Sequence, residues 1–160
     1  MMAWHDFAVV SGSVASALVG LLFVAVSLRE SILSRSKHLR LRAAQTLGLF
    51  LTVVISAILI VVPNPADWAL GAELLAVAVL AAVTLAAFGR AAGPADDKYP
   101  LARTVDRLNP TIITPTLIAG AGGLLLANLT WGLTLLVVAV VFALIAGVVN
   151  AWLILVRVHE

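Results

Sequence analysis

Long apolar stretches, separated by short polar or proline-bearing segments, dominate the pattern along this chain. Three stretches are well separated and have about 20 to 22 residues each: 7–28, 43–62 and 68–89. An α-helix rises 1.5 Å per residue, so each stretch is long enough to cross a hydrocarbon core of about 30 Å. The pattern therefore predicts three transmembrane helices in this part of the chain.

The last apolar region, residues 111–156, is too long for a single span. A helix of that length would measure roughly 69 Å, more than twice the thickness of the hydrocarbon core. The polar segment Asn128–Gly132 predicts a turn, with a fourth span at 111–129 and a fifth at 133–156. Pro115 and several glycines lower the helix propensity of the fourth span. Four spans plus a re-entrant segment are therefore the alternative.

Composition supports lipid as the natural solvent of the chain. Apolar residues make up 62% of the 160 positions and charged residues 11%, whereas soluble domains are about half apolar and a quarter charged. The mean hydropathy is +1.13. The predicted fold class is all-α: an integral membrane bundle of five transmembrane helices that forms one domain, 1–160.

The placement of basic residues predicts the orientation of the spans. All ten Lys and Arg residues lie in the segment after the first span, the segment after the third, or the end after the fifth: Arg29, Arg35, Lys37, Arg40, Arg42, Arg90, Lys98, Arg103, Arg107 and Arg157. Positive charge accumulates on the cytoplasmic side of membrane proteins. We therefore expect an inner (plasma) membrane protein with its N-terminus outside and its C-terminus in the cytoplasm. This charge pattern does not favour nucleic acid as a partner.

Tryptophan placement predicts the same arrangement. Trp4, Trp68 and Trp131 fall at the predicted outer ends of spans, and Trp152 falls near the inner end of the fifth. Tryptophan prefers membrane interfaces because its ring is apolar and its indole N–H requires a partner.

Candidate cofactor and catalytic chemistry is sparse. The chain has no cysteine, which excludes disulfides, thiol catalysis, iron–sulfur clusters and cysteine-based zinc sites. His5, His38 and His159 lie outside the spans, so haem ligation inside the bundle is not expected. We predict no catalytic residue, no metal site and no cofactor.

Small residues at four-residue spacing predict close helix packing. Hydrophobicity does not drive association within lipid, so small side chains that let backbones approach become important. The first span has Gly12, Ser16 and Gly20 in such a series, and the fifth has Ala143 and Gly147. The simplest interpretation is packing within this bundle, and one such face is also available for self-association or for another membrane protein.

Glu73 is the charged residue placed clearly inside a predicted span. An intramembrane carboxylate is costly and is by default a functional-site candidate. Asn128 and Asn150 are further polar candidates, which we interpret mainly as interhelical hydrogen-bonding groups. The alternative for Glu73 is a structural role near the outer headgroups or a hydrogen bond to Asn128.

Two further local features concern the loops. Asn109 precedes Pro110, a pair that predicts an N-cap followed by the first turn of a helix. The segment 29–42 alternates basic and apolar residues and is interpreted as an orientation anchor on the inner leaflet, where anionic headgroups attract it.

Four short segments carry a resemblance to a known group of proteins. They are Trp4-His5-Asp6-Phe7, residues 20–28, Leu70-Gly71-Ala72-Glu73-Leu74, and Asn150-Ala151-Trp152. The chain resembles small actinobacterial multi-span membrane proteins, many of which are labelled "modulator of FtsH protease". The resemblance extends over most of the chain. It implies a multi-span membrane protein and brings no active-site residue with it.

The leading functional hypothesis is a non-enzymatic accessory or regulatory partner of a larger membrane complex. It follows from the missing catalytic groups, the short loops and the small-residue faces. The alternative is a homo-oligomeric ion or proton channel, or a small transporter, that uses Glu73. A lipid-acting membrane enzyme comes third, because Glu73 and Asn128 alone do not form a nucleophile, base and orienting group.

Overall fold

The residues that the structure describes form five α-helices, and the all-α prediction is confirmed. The structure, a computed structural model, describes residues 2–28, 36–62, 67–92 and 109–157. The helices are α1 (Met2–Leu28), α2 (Lys37–Val61), α3 (Asp67–Ala92), α4 (Pro110–Leu126) and α5 (Trp131–Arg157). Residues 29–35 of the predicted segment 29–42 and the basic residues of 93–108 lie outside the described residues.

The helices extend beyond most of the predicted spans because polar residues at the interfaces continue the helical turns. α2 begins six residues before the apolar stretch at Ala43, and the Ser36 hydroxyl caps it by accepting a hydrogen bond from Leu39 N–H at 3.4 Å. At the start of α4, Pro110 occupies the first turn as predicted. The predicted cap is wrong: Asn109 adopts a left-handed conformation, and its side chain accepts a 2.5 Å hydrogen bond from Thr111 Oγ1 rather than from a backbone N–H.

Helices α2, α3, α4 and α5 form a ring in which each helix contacts the next, and α5 closes the ring against α2. α1 packs outside this ring, against α2 and the edge of α5. A cluster that includes Leu74, Ile118 and Leu136 joins α3, α4 and α5, with Leu59 and Ile60 of α2 packed against it. The interior of the ring at this level is therefore apolar and filled.

The outer surface is also apolar, as expected of a protein in lipid. Large hydrophobic side chains are exposed on all five helices, among them Leu21, Ile58, Leu80, Ile112 and Ile145. Helices α1, α2, α3 and α5 are long and apolar enough to cross a membrane, and α4 is a shorter apolar helix. The chain is a helical membrane protein.

Candidate functional site

The contact between α1 and α2 is made by small side chains on one face of α1. Ala8, Ser11 and Ala15 are buried. A β-carbon at Gly12 would lie 3.0 Å from the Ala57 β-carbon on α2. Replacement of Gly12 by a larger residue therefore requires the two helices to separate.

The rest of the predicted series on α1 lies outside this contact. Ser16 and Gly20 are exposed, and a β-carbon at Gly20 would meet no described atom within 4 Å. Four residues turn an α-helix by about 40° more than one full turn. From Gly12 to Gly20 the series therefore rotates by about 80°, which carries Ser16 and Gly20 out of the contact with α2.

On α5 the predicted residues remain buried. Ala143 is fully buried in a cluster with Ala15, Val53 and Val140. Gly147 lies against the ring of Phe50 on α2: a β-carbon at Gly147 would come within 2.7 Å of Phe50 Cζ. α5 contacts both α2 and α4, so its buried face is wide. Residues spaced by four therefore stay within this face although they rotate gradually around the helix.

Three further glycines bring α3, α4 and α5 together, and the four-residue series of small residues does not predict them. A β-carbon at Gly71 would lie 2.8 Å from the Gly122 carbonyl oxygen, and one at Gly122 would lie 2.7 Å from the Gly71 oxygen. A β-carbon at Gly132 would lie 2.7 Å from the Ala121 oxygen. The sequence indicates only a helix-weakening effect for Gly122 and a turn for Gly132; in lipid, close backbone approach is the additional signal to consider.

Glu73 lies partly buried on α3. Gly71, two residues earlier, faces α4, and two residues correspond to about 200° around the helix axis. The Glu73 side chain therefore leaves α3 on the side away from α4.

Asn128 terminates α4. Its φ is 56°, its N–H donates to Leu125 O at 3.0 Å, and the next N–H, that of Leu129, donates to Leu124 O at 2.9 Å. These two hydrogen bonds define a Schellman motif, in which a residue in the left-handed conformation closes the helix. Asparagine is, after glycine, a residue that adopts this conformation readily. Asn128 therefore has a structural role that its sequence position alone does not reveal.

Several hydroxyl groups in the helices are satisfied by their own backbone, and Asn150 is a buried amide. Asn150 is 8% exposed on α5. The hydroxyls of Thr52, Ser56 and Thr84 donate to carbonyls of their own helices. Such bonds satisfy hydroxyl groups without a partner helix or a ligand.

Arg90, in the last turn of α3, borders a groove between α3 and α4 that the sequence did not predict. The groove has a volume of about 610 Å³, and its walls include Ala78, Ala82 and Ala86 of α3 and Ala119 of α4. Arg90 is the charged residue on its lining and is exposed. The alanine series on α3 thus lines an open groove along part of its length.

Comparison with known proteins adds no further assignment: no protein family, curated protein or solved structure matches this chain. Within the part of the chain that the structure describes, no three His, Asp or Glu residues are grouped as a metal site would require. The arrangement defines a helical membrane bundle whose notable features are glycine contacts, one partly buried carboxylate and a groove with a basic end.

Proposed function

We propose that the chain is a non-enzymatic accessory or regulatory subunit of a larger complex in the inner (plasma) membrane. It crosses the membrane five times, with the N-terminus outside and the C-terminus in the cytoplasm. The placement of the basic residues supports this orientation.

The course of α4 supports five crossings rather than four crossings and a re-entrant segment. α4 is a continuous helix that begins beside Ala86 and Arg90, where Thr111 and Ile112 share the groove with them. It ends beside Gly71, which contacts Leu126 N. From Gly71 to Arg90, α3 rises about 28 Å, close to the thickness of the hydrocarbon core. A segment that turned back halfway would not follow α3 over this distance.

The observation that carries the proposal is the second face of α1. α1 packs through its buried face, whereas Ser13, Ser16, Ala17 and Gly20 are exposed on the opposite side. Lipid tails offer no close contact for Gly, and they offer Ser no partner beyond the carbonyls of its own helix. Small and hydroxyl-bearing residues are, in contrast, typical of interfaces between transmembrane helices. This exposed α1 face (Ser13, Ser16, Ala17, Gly20) therefore suits a helix of another protein.

A pore through a single chain has less support. The cluster around Leu74, Ile118 and Leu136 fills the ring between α2 and α5. A channel that uses Glu73 would consequently need several copies of the chain around a shared axis. That arrangement is the alternative function, and the size of the native particle distinguishes it from an accessory role.

The test is the size of the particle that is extracted with its native lipids in a membrane-solubilising polymer. We expect the wild-type chain in a complex heavier than its own monomer and containing a different protein. Gly20→Leu should release the chain as a folded monomer, because the larger side chain blocks approach to the exposed α1 face. The matched control is Val138→Leu, at an exposed position on α5, which should leave the complex intact.

Two outcomes would contradict the proposal. A wild-type chain that is extracted as a monomer would not be a subunit of a larger complex. A closed ring of identical chains, with Glu73 near its axis, would favour the channel instead.

A further inference from the structure

The groove between α3 and α4 is about as long as one membrane leaflet is thick. Its α3 wall runs from Ala78 to Arg90, which corresponds to about 18 Å of helix. Half of a hydrocarbon core of about 30 Å is about 15 Å. The groove therefore begins near the middle of the bilayer and ends at the level of the headgroups.

The walls of the groove are suited to an acyl chain. Alanines on both helices keep the groove open, and Val79, Val83 and Pro115 add apolar surface. Two threonines also line it, but their hydroxyl protons are already used: Thr111 donates to Asn109 Oδ1 at 2.5 Å and Thr116 to Ile112 O at 2.7 Å. The threonine hydroxyls are therefore already hydrogen-bonded and do not disfavour an acyl chain in the groove.

The basic end of the groove favours a ligand that carries a negative charge at that end. The Arg90 guanidinium lies at the end where α3 reaches the interface, and it has a planar set of donors that matches a phosphate. In the proposed orientation this end lies in the cytoplasmic leaflet, where anionic lipids attract basic side chains.

We propose that this groove binds one anionic phospholipid of the cytoplasmic leaflet. One acyl chain lies between α3 and α4 along Ala78, Ala82 and Ala86, and the headgroup phosphate pairs with Arg90. The lipid completes the surface of the bundle where α3 and α4 leave space between them. This site is independent of the exposed α1 face on which the proposed function depends.

The experiment compares binding of phosphatidylglycerol and phosphatidylcholine with identical acyl chains. Each lipid is titrated into the delipidated full-length protein, and bound lipid is measured by native mass spectrometry. We expect the wild-type chain to retain one phosphatidylglycerol molecule in preference to phosphatidylcholine. Arg90→Gln should weaken phosphatidylglycerol binding about fivefold, the equivalent of about 1 kcal/mol, and should change phosphatidylcholine binding little.

Two further variants separate the headgroup contact from the groove. Arg40→Gln removes an equally exposed cytoplasmic-side charge on α2 and should leave the preference intact. Ala82→Phe fills the groove and should weaken both lipids. If Ala82→Phe does not fold, as judged by its thermal melt, the comparison of Arg90→Gln with Arg40→Gln still decides, because both side chains are exposed.

Equal phosphatidylglycerol affinity in Arg90→Gln and wild type would overturn the proposal, as would equal losses in Arg90→Gln and Arg40→Gln. A different result would identify another occupant. If wild type is dimeric and Ala82→Phe is a monomer with unchanged lipid binding, a helix of a second copy fills the groove and the lipid proposal is wrong.

Discussion

Gly147 of α5 and Phe50 of α2 pack directly against each other, and the contact requires that residue 147 have no side chain. A β-carbon at Gly147 would come within 2.7 Å of Phe50 Cζ, and Phe50 is 1% exposed. The ring is buried, so it would have to change its contacts with neighbouring side chains to admit a β-carbon. This pair therefore fixes how closely α5 closes the ring against α2.

Gly147→Ala should lower the thermal stability of the protein in detergent. Overpacking of a filled core typically costs about 1–3 kcal/mol, and the buried ring of Phe50 would have to shift to admit a β-carbon. Gly123→Ala is the matched control, because a β-carbon at Gly123 would meet no described atom within 4 Å. The control should be neutral or slightly stabilising, since alanine favours the helix. Equal melting temperatures for the two variants would contradict the Phe50 contact.

Two leucine substitutions on α1 should distinguish a residue needed for folding of the bundle from one needed for association with another protein. Gly12→Leu should destabilise the bundle, because its side chain would push against Ala57. Gly20→Leu should leave the melting temperature of the isolated chain close to wild type, because Gly20 faces away from α2. Thermal melts of purified monomers provide the measurement. A larger loss of stability in Gly20→Leu than in Gly12→Leu would mean that α1 is rotated relative to the arrangement described.

The fold class was predictable because apolar length is a direct physical requirement for crossing a bilayer. The same reasoning correctly placed a turn in Asn128–Gly132. The contact face of α1 was harder to predict from the sequence. Residues spaced by four rotate gradually around the helix, so such a series stays buried only where the helix has neighbours on two sides. Ser16 and Gly20 show the consequence on α1, whereas Ala143 and Gly147 remain buried on α5. The number of neighbours depends on the assembled bundle rather than on local sequence.

Residue-level roles were predictable only where they depend on local structure. The self-satisfied hydroxyls of Thr52 and Ser56 follow from helical geometry alone. The Schellman motif at Asn128 depends on where α4 ends, which is three residues before the end of the predicted span. The groove between α3 and α4 that ends at Arg90 depends on how far apart the two helices lie. The sequence of neither helix alone determines this distance.

Substitutions at Asn128 should follow the left-handed backbone conformation. Asn128→Gly should preserve or raise stability, because glycine adopts positive φ without strain. Asn128→Val should lower stability by about 1–2 kcal/mol, because a β-branched residue is strained there. Thermal unfolding of both variants provides the comparison. If both variants melt alike, the helix ends in a different conformation.

Glu73→Gln tests the channel alternative. The accessory role predicts that wild-type protein in liposomes gives no proton or cation flux above that of protein-free vesicles, and that Glu73→Gln behaves identically. A pH-sensitive dye inside the vesicles, with a potassium gradient as driving force, provides the measurement. Flux in the wild type that disappears in a folded Glu73→Gln variant would instead establish an ion pathway through this residue.

The most direct test of the account as a whole is the accessibility of single cysteines, because the chain has none of its own. Each variant is labelled in intact cells with a membrane-impermeant maleimide, and then again after the cells are opened. Five crossings predict that Thr130→Cys, in the turn between α4 and α5, is labelled in intact cells, whereas Lys37→Cys and His159→Cys are labelled only after opening. Protection of Thr130→Cys together with labelling of His159→Cys in intact cells would contradict five crossings and would make α4 a re-entrant helix.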